Sequence, residues 1–112
     1  MITVERSAPL LTVQDGGRFG YLASGITRSG PLDALALAVG NALVGNAPSA
    51  AALEGCLGGA QFRCESDCTF AFTGATLAAT LNGRALSGYV AQRARAGKIG
   101  RASCRERVSV VV

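Results

Sequence analysis

The chain contains no histidine. That excludes cysteine catalysis with a histidine base inside the chain, and it excludes any mixed Cys/His metal centre. Cysteines stand at 56, 64, 68 and 104, but the C-x7-C-x3-C spacing lacks the tight CxxC pairs of zinc sites. Cys64 shares strand parity with Phe62, and Cys68 with Phe70 and Phe72. Both are therefore expected as small buried hydrophobes, with no metal bound and no disulfide formed. No run of 18 apolar residues is present, so no membrane-spanning helix is expected. The N-terminus MITVERSAPLL lacks the basic start and long apolar core of a secretory signal, which makes the cytoplasm the expected location. A glycine-rich loop precedes the one clear helix, yet it matches neither GxGxxG nor GxxxxGK[ST]. Nucleotide binding by a standard loop is unsupported.

What is present suits one small globular domain: 112 residues, about half of them hydrophobic. The net charge of +4 hints at nucleic acid, but its distribution argues against it. Residues 98–112 hold Lys98, Arg101, Arg105 and Arg107 against Glu106, while residues 1–97 carry seven basic and six acidic side chains. The body is nearly neutral. No aromatic residue interleaves the basic tail, so a platform for stacking bases is missing and no nucleic-acid partner is expected.

The organising stretch runs from Val13 to Asn46, where a glycine-rich loop feeds a helix expected over 31–44. Pro31 suits a first helical position, Gly30 an N-cap, and Asp33 brings negative charge to the first turn. Leu32, Leu35, Ala36, Val39 and Leu43 recur at the helical period as one apolar stripe. Gly45 and Asn46 supply the stop. Asp33, Leu37 and Asn41 are spaced four and four, along a second side. That side either presents Asp33 and Asn41 to a small-ligand pocket at the loop, or leaves Asp33 as a simple cap and Asn41 facing water.

Around the helix the pattern alternates at period two. Ile2–Val4 and Leu11–Val13 read as a short β-hairpin turning at Arg6–Pro9, and Asp15-Gly16-Gly17 ends it. A strand through Ala51, Leu53, Gly55 and Leu57 puts Glu54 on the opposite face, either at a sheet edge or inside a pocket. Gln61–Glu65, Cys68–Thr73, and Thr76–Leu81 with Arg84–Leu86 flanking Asn82-Gly83 follow, then a weak strand over Tyr89–Arg95. One helix among roughly seven short strands predicts a mainly β (α+β) fold, an antiparallel barrel or sandwich.

LLTVQDGGRFGY, SGPLDALALAVGNALVGN, AALEGCLGGAQFR and FTGATLAATLNGR, in that order, resemble the opening of the biotin-dependent carboxyltransferase-like family. This is the group of the C-type component of 5-oxoprolinase, the second component of allophanate hydrolase and the carboxyltransferase region of urea carboxylase. The resemblance covers about residues 1–97 as the N-terminal part of a carboxyltransferase-like domain. It implies a partial cyclophilin-like antiparallel β-barrel with the helix packed beside it. It also implies work on small amide, lactam or urea-like substrates in a hetero-oligomer with a B-type partner subunit. ATP would act in the complete complex, and biotin only in a urea carboxylase-like reading. The alternative within the family is a non-catalytic module that binds a partner subunit, as an antagonist of a kinase inhibitor. By the resemblance Asp33 is the expected catalytic residue, and Asn41, Ser29, Gly30 and Glu54 are the expected substrate-binding residues; no metal site is implied. The ending KIGRASCRERVSVVV departs from the family pattern and reads as a foreign tail over 98–112, to which Cys104 belongs.

Overall fold

In the computed structural model, which describes residues 1–76, 78–104 and 108–111, alternation does become strand and the Pro-Leu-Asp lead-in does become a helix. The elements are β1 (Ile2–Arg6), β2 (Leu10–Gln14), α1 (Ala34–Val44), β3 (Ala52–Cys56), β4 (Gly58–Cys64), β5 (Cys68–Gly74), β6 (Ala78–Leu81), β7 (Arg84–Leu86), β8 (Gln92–Ala94), β9 (Ile99–Cys104) and β10 (Val108–Val111). The fold is mainly β with one α-helix, as expected. The strands form two open five-stranded sheets, ordered β1-β4-β9-β6-β7 and β2-β3-β10-β5-β8. Ile99–Cys104 and Val108–Val111, which the sequence pattern set apart as a tail, lie inside these two sheets. Leu77, Arg105, Glu106, Arg107 and Val112 lie outside the described residues.

The chain crosses repeatedly from one sheet to the other: β1 is in the first and β2 in the second, β3 in the second and β4 in the first, and β5 in the second again. The chain therefore bends over corners from one sheet to the other, a known way of closing two sheets on one core. The corner between β3 and β4 is the single residue Leu57, at φ 54°, followed by Gly58 at φ 149°. A Cβ on Gly58 would lie 3.0 Å from Pro9 Cδ, so this corner stacks directly on the one between β1 and β2.

The expected β1–β2 hairpin does not form. β1 pairs antiparallel with β4, and β2 antiparallel with β3. Because β3 and β4 are consecutive pieces of chain, β1 and β2 continue one another and cannot fold back. Ser7-Ala8-Pro9 offers no two-residue turn of the kind a tight hairpin needs, and Ala8 is instead buried in the core. The Asn82-Gly83 hairpin does form between β6 and β7, with both residues at positive φ (48° and 82°). Those angles are what its right-handed strands require.

The shared core lies between the sheets. Phe62 and Cys64 from β4 meet Phe70 and Phe72 from β5, with Ala60, Ala79 and Ala94 filling the gaps. The Phe70 and Phe72 rings meet edge to face, with centroids 5.4 Å apart. β5 is buried on both faces, because α1 covers its other side. There Thr73 Oγ1 donates to the Ala36 carbonyl at 2.7 Å. Leu37 packs on Ala52 of β3 in a small second cluster.

This docking sets the rotation of α1, and the apolar stripe overlaps the buried face only in part, at Ala36. Ala36, Leu37, Gly40 and Asn41 face the sheet, while Leu35 is 75% exposed and Leu32, which precedes the helix, 67% exposed. Small residues at 36 and 40 let the helix lie close to the sheet. Asp33, and not Gly30, is the N-cap: its Oδ1 accepts the Ala36 N–H at 2.9 Å. Gly45, at φ 82°, ends the helix as expected.

Asn41 is fully buried. Its amide nitrogen donates to the Pro48 and Ala50 carbonyls at 3.2 and 2.9 Å, and its oxygen accepts from Asn46 Nδ2 at 3.2 Å. Asn41 thus folds the turn that returns the chain to β3. Replacing it with alanine strands these partners, and an Asn41→Ala variant is expected to lose about 2–3 kcal/mol by chemical denaturation. An Asn41→Ala variant as stable as the parent would remove this role.

Candidate functional site

The loop from Asp15 to Gly30 closes on itself through two glycines. Asp15 Oδ1 accepts the Gly17 N–H at 2.8 Å, which tightens the turn after β2. The Arg18 N–H donates to the Arg28 carbonyl at 2.8 Å, joining the start of the loop to its end. At that junction Gly17 (φ 80°) and Gly30 (φ 93°) lie against each other's backbone. A Cβ on Gly17 would sit 2.8 Å from the Arg28 carbonyl oxygen, so no larger residue fits without parting the strands of the loop. The Gly16 N–H donates to the Ser49 carbonyl at 3.1 Å, holding the loop to the segment that enters β3.

The result is a surface cleft of about 320 Å³ lined by Gln14, Asp15, Arg18, Arg28, Ser29 and Gly30, with Val13, Gly17 and Ala51 at its margins. Its chemistry is dominated by two guanidiniums. Arg18 Nη2 donates to Ser29 Oγ at 3.2 Å. Arg28 stacks over Phe19, with Cζ 4.1 Å from the ring centroid. Arg18 is held by a hydroxyl and Arg28 by an aromatic face, and both residues line the cleft. Asp15 is the one carboxylate in the lining.

The site residues expected from sequence are distributed as follows. Ser29 and Gly30 line the cleft. Glu54 is buried on the α1 face of β3, where Oε2 accepts the Leu32 N–H at 2.8 Å; of the two placements open to it, the structure takes the interior one. It holds the segment just past the cleft onto the sheet. Asp33 is exposed at the helix start, and Asn41 is buried two turns further on, against the 46–50 turn. These two are not brought to the cleft together. The sequence pattern did not single out Asp15, Arg18 and Arg28. The signal for them was the charged residue beside each glycine turn, in DGGR and RSG, rather than the helix face.

The family profile "Carboxyltransferase domain, subdomain A and B" matches residues 24–103. The chain belongs to this carboxyltransferase family. The C-type component of 5-oxoprolinase from Escherichia coli K12 is 45% identical over 86 residues, covering 77% of this chain and 28% of that protein. Urea amidolyase of Lachancea kluyveri is 39% identical over 72 residues, covering 63% of this chain and 4% of that protein. The crystal structure of TTHA0988 superposes with a TM-score of 0.91 at 33% identity, over 97% of this chain and 23% of that one. Urea carboxylase of Kluyveromyces lactis gives a TM-score of 0.92 at 27% identity, over 97% of this chain and 10% of that one. The chain spans little more than a quarter of the length of the curated 5-oxoprolinase components it matches.

The cleft depends on the Gly17–Gly30 contact, which a methyl group tests. Gly17→Ala is expected to cost about 1–3 kcal/mol in stability and to speed hydrogen exchange at the Arg18 amide. Gly20→Ala has the same backbone sign (φ 87°) but nothing within 4 Å, so it should leave Arg18 exchange unchanged. Equal effects of the two variants on Arg18 would contradict the close-contact account.

Proposed function

We propose that this chain is part of a carboxyltransferase-like protein that works in the cytoplasm, with a B-type partner subunit, on small amide, lactam or urea-like substrates. 5-Oxoproline is the leading candidate, because 5-oxoprolinase components of two bacteria are 45% and 41% identical to this chain. The observation that carries the reading is the braced pair Arg18 and Arg28 in the cleft lining.

A planar guanidinium binds a carboxylate or a polarised carbonyl oxygen through paired N–H donors. Two of them, already held in place, provide for a substrate with a carboxylate at one end and an amide oxygen at the other. The oxygen gains negative charge as the amide reacts, and fixed donors favour that charge without having to reorganise. Asp15 supplies an acceptor for the amide N–H in the same cleft. The chain has no phosphate-loop pattern, so ATP is assigned to the partner subunits. Carboxybiotin belongs to the urea-type branch of the reading.

Binding to the chain itself tests the site. 5-Oxoproline should bind by titration calorimetry or chemical-shift perturbation, and 2-pyrrolidinone, which lacks the carboxylate, should bind more than tenfold more weakly. Arg28→Gln and Arg18→Gln should each weaken 5-oxoproline by about tenfold or more, the worth of one charge-assisted pair at roughly 1.5–3 kcal/mol. Equal binding of both ligands, or binding indifferent to the two arginines, would remove this assignment. A chain that captures its B-type partner while binding neither ligand would favour the interaction module.

A further inference from the structure

Away from the cleft, the turn between β4 and β5 brings two sulfurs together. The Cys68 thiol donates to the Cys64 sulfur at 3.2 Å, and both cysteines are free. Cys64 ends β4 in the first sheet and Cys68 begins β5 in the second, so the pair stands where the two sheets meet. The surrounding backbone is well held. Cys64 N–H donates to the Lys98 carbonyl at 3.0 Å, Gly97 N–H donates to the Cys64 carbonyl at 2.7 Å, and Cys68 lies in register with Ala94. Each cysteine thus sits on backbone tied to a neighbouring segment, with the two sulfurs in contact across the turn.

The two thiols differ in access. Cys64 is 4% exposed, but Cys68 is half-buried and lines an open surface cleft of about 600 Å³ with Asp67, Thr69, Arg93 and Arg95. Asp67 already accepts the Ala96 N–H through Oδ1 at 2.9 Å, so the two arginines give the cleft a cationic balance. An acidic small molecule is drawn to such a surface.

We infer that Cys64 and Cys68 form a reversible dithiol–disulfide pair, in which Cys68 is attacked first by a small disulfide carrying carboxylates, guided by Arg93 and Arg95, and Cys64 resolves the product. The Cys68 sulfur gives up its proton and attacks one sulfur of the small disulfide. A Cys68 mixed disulfide forms and one small thiolate leaves, taking up the proton. Cys64 then loses its proton and attacks the Cys68 sulfur, which closes the Cys64–Cys68 bond and releases the second small thiol. Two protein thiols are oxidised and one small disulfide is reduced to two thiols, with no other oxidant needed. Closure shortens the sulfur separation by about 1 Å, toward the 2.05 Å of the bond.

The order of events follows from the environments. Burial above all pushes the Cys64 thiol up to about 12, so Cys64 is protonated at neutral pH and is a poor first nucleophile. Its contact with Cys68 makes it a resolving thiol by proximity instead.

Oxidised glutathione is the probe. After incubation of the chain, alkylation and trypsin, the peptide Cys64–Arg84 carries these two cysteines and no others. It is expected to be lighter than its reduced form by two hydrogens, with no alkyl groups. Cys64→Ser should retain glutathione on Cys68, and Cys68→Ser should leave Cys64 reduced. Arg93→Gln with Arg95→Gln, or added salt, should slow the first step several-fold. Recovery of the wild-type peptide with both thiols alkylated would overturn the proposal. So would glutathione accumulating on Cys64 in Cys68→Ser as fast as the wild type loses thiols. Concentrated urea serves as the folding control: preference for the pair over Cys56 should vanish there, and its persistence would place the effect in the local sequence and defeat the structural reading.

Discussion

Three polar side chains are buried among the described residues, Asn41, Glu54 and Thr73, and all three fasten the segment around α1 to the second sheet or to itself. Thr73 of β5 holds the Ala36 carbonyl, Glu54 of β3 holds the Leu32 N–H, and Asn41 holds the turn that returns the chain to β3. A buried polar atom left unmatched is costly, and no such atom is found among the described side chains. Among the described residues the apolar cluster between helix and sheet is small, Leu37 against Ala52 with Val44 beside them. Direction is therefore supplied by hydrogen bonds, which fix where the helix starts and how it is turned.

That constraint reaches the cleft through the backbone. With Leu32 held by Glu54 and the helix begun at Ala34, residues 28–30 have little choice of path. They meet Asp15–Arg18 at the Gly17–Gly30 contact, and the two arginines leave that junction on the same side. Glu54 thus fixes the chain just past a cleft it does not line. The carboxylate and the carboxamide of the helix serve structure: Asp33 caps its first turn and Asn41 holds the turn at 46–50.

Much of this was legible in the amino-acid order. The alternation in LLTVQ, ALEGC and CTFAFTG marks strands correctly, and Asn82-Gly83 marks its hairpin, because period two and a turn needing positive φ are local properties. Strand partnership was not legible at the N-terminus. Nothing in Ser7-Ala8-Pro9 states that the chain turns a corner between sheets, since the cause lies about fifty residues away at Leu57-Gly58. The helix face was misread for a related reason. Leu32, Leu35 and Ala36 all fit the stripe by period, but only Ala36, with Gly40 beside it, fits the sheet by size, and close packing at a flat surface rewards small residues. Ser29 and Gly30 were found as part of a motif, whereas Arg18 and Arg28, well separated along the chain, become neighbours only when the loop closes.

The most direct test is native-state hydrogen exchange at the Leu32 amide. Leu32 is two-thirds exposed, so its N–H is shielded only if the buried Glu54 carboxylate holds it. Exchange as slow as that of the core amides of β5 in the parent chain, lost in Glu54→Ala, is the result this account requires. Leu32 exchanging at the rate of an open loop in the parent chain would contradict it.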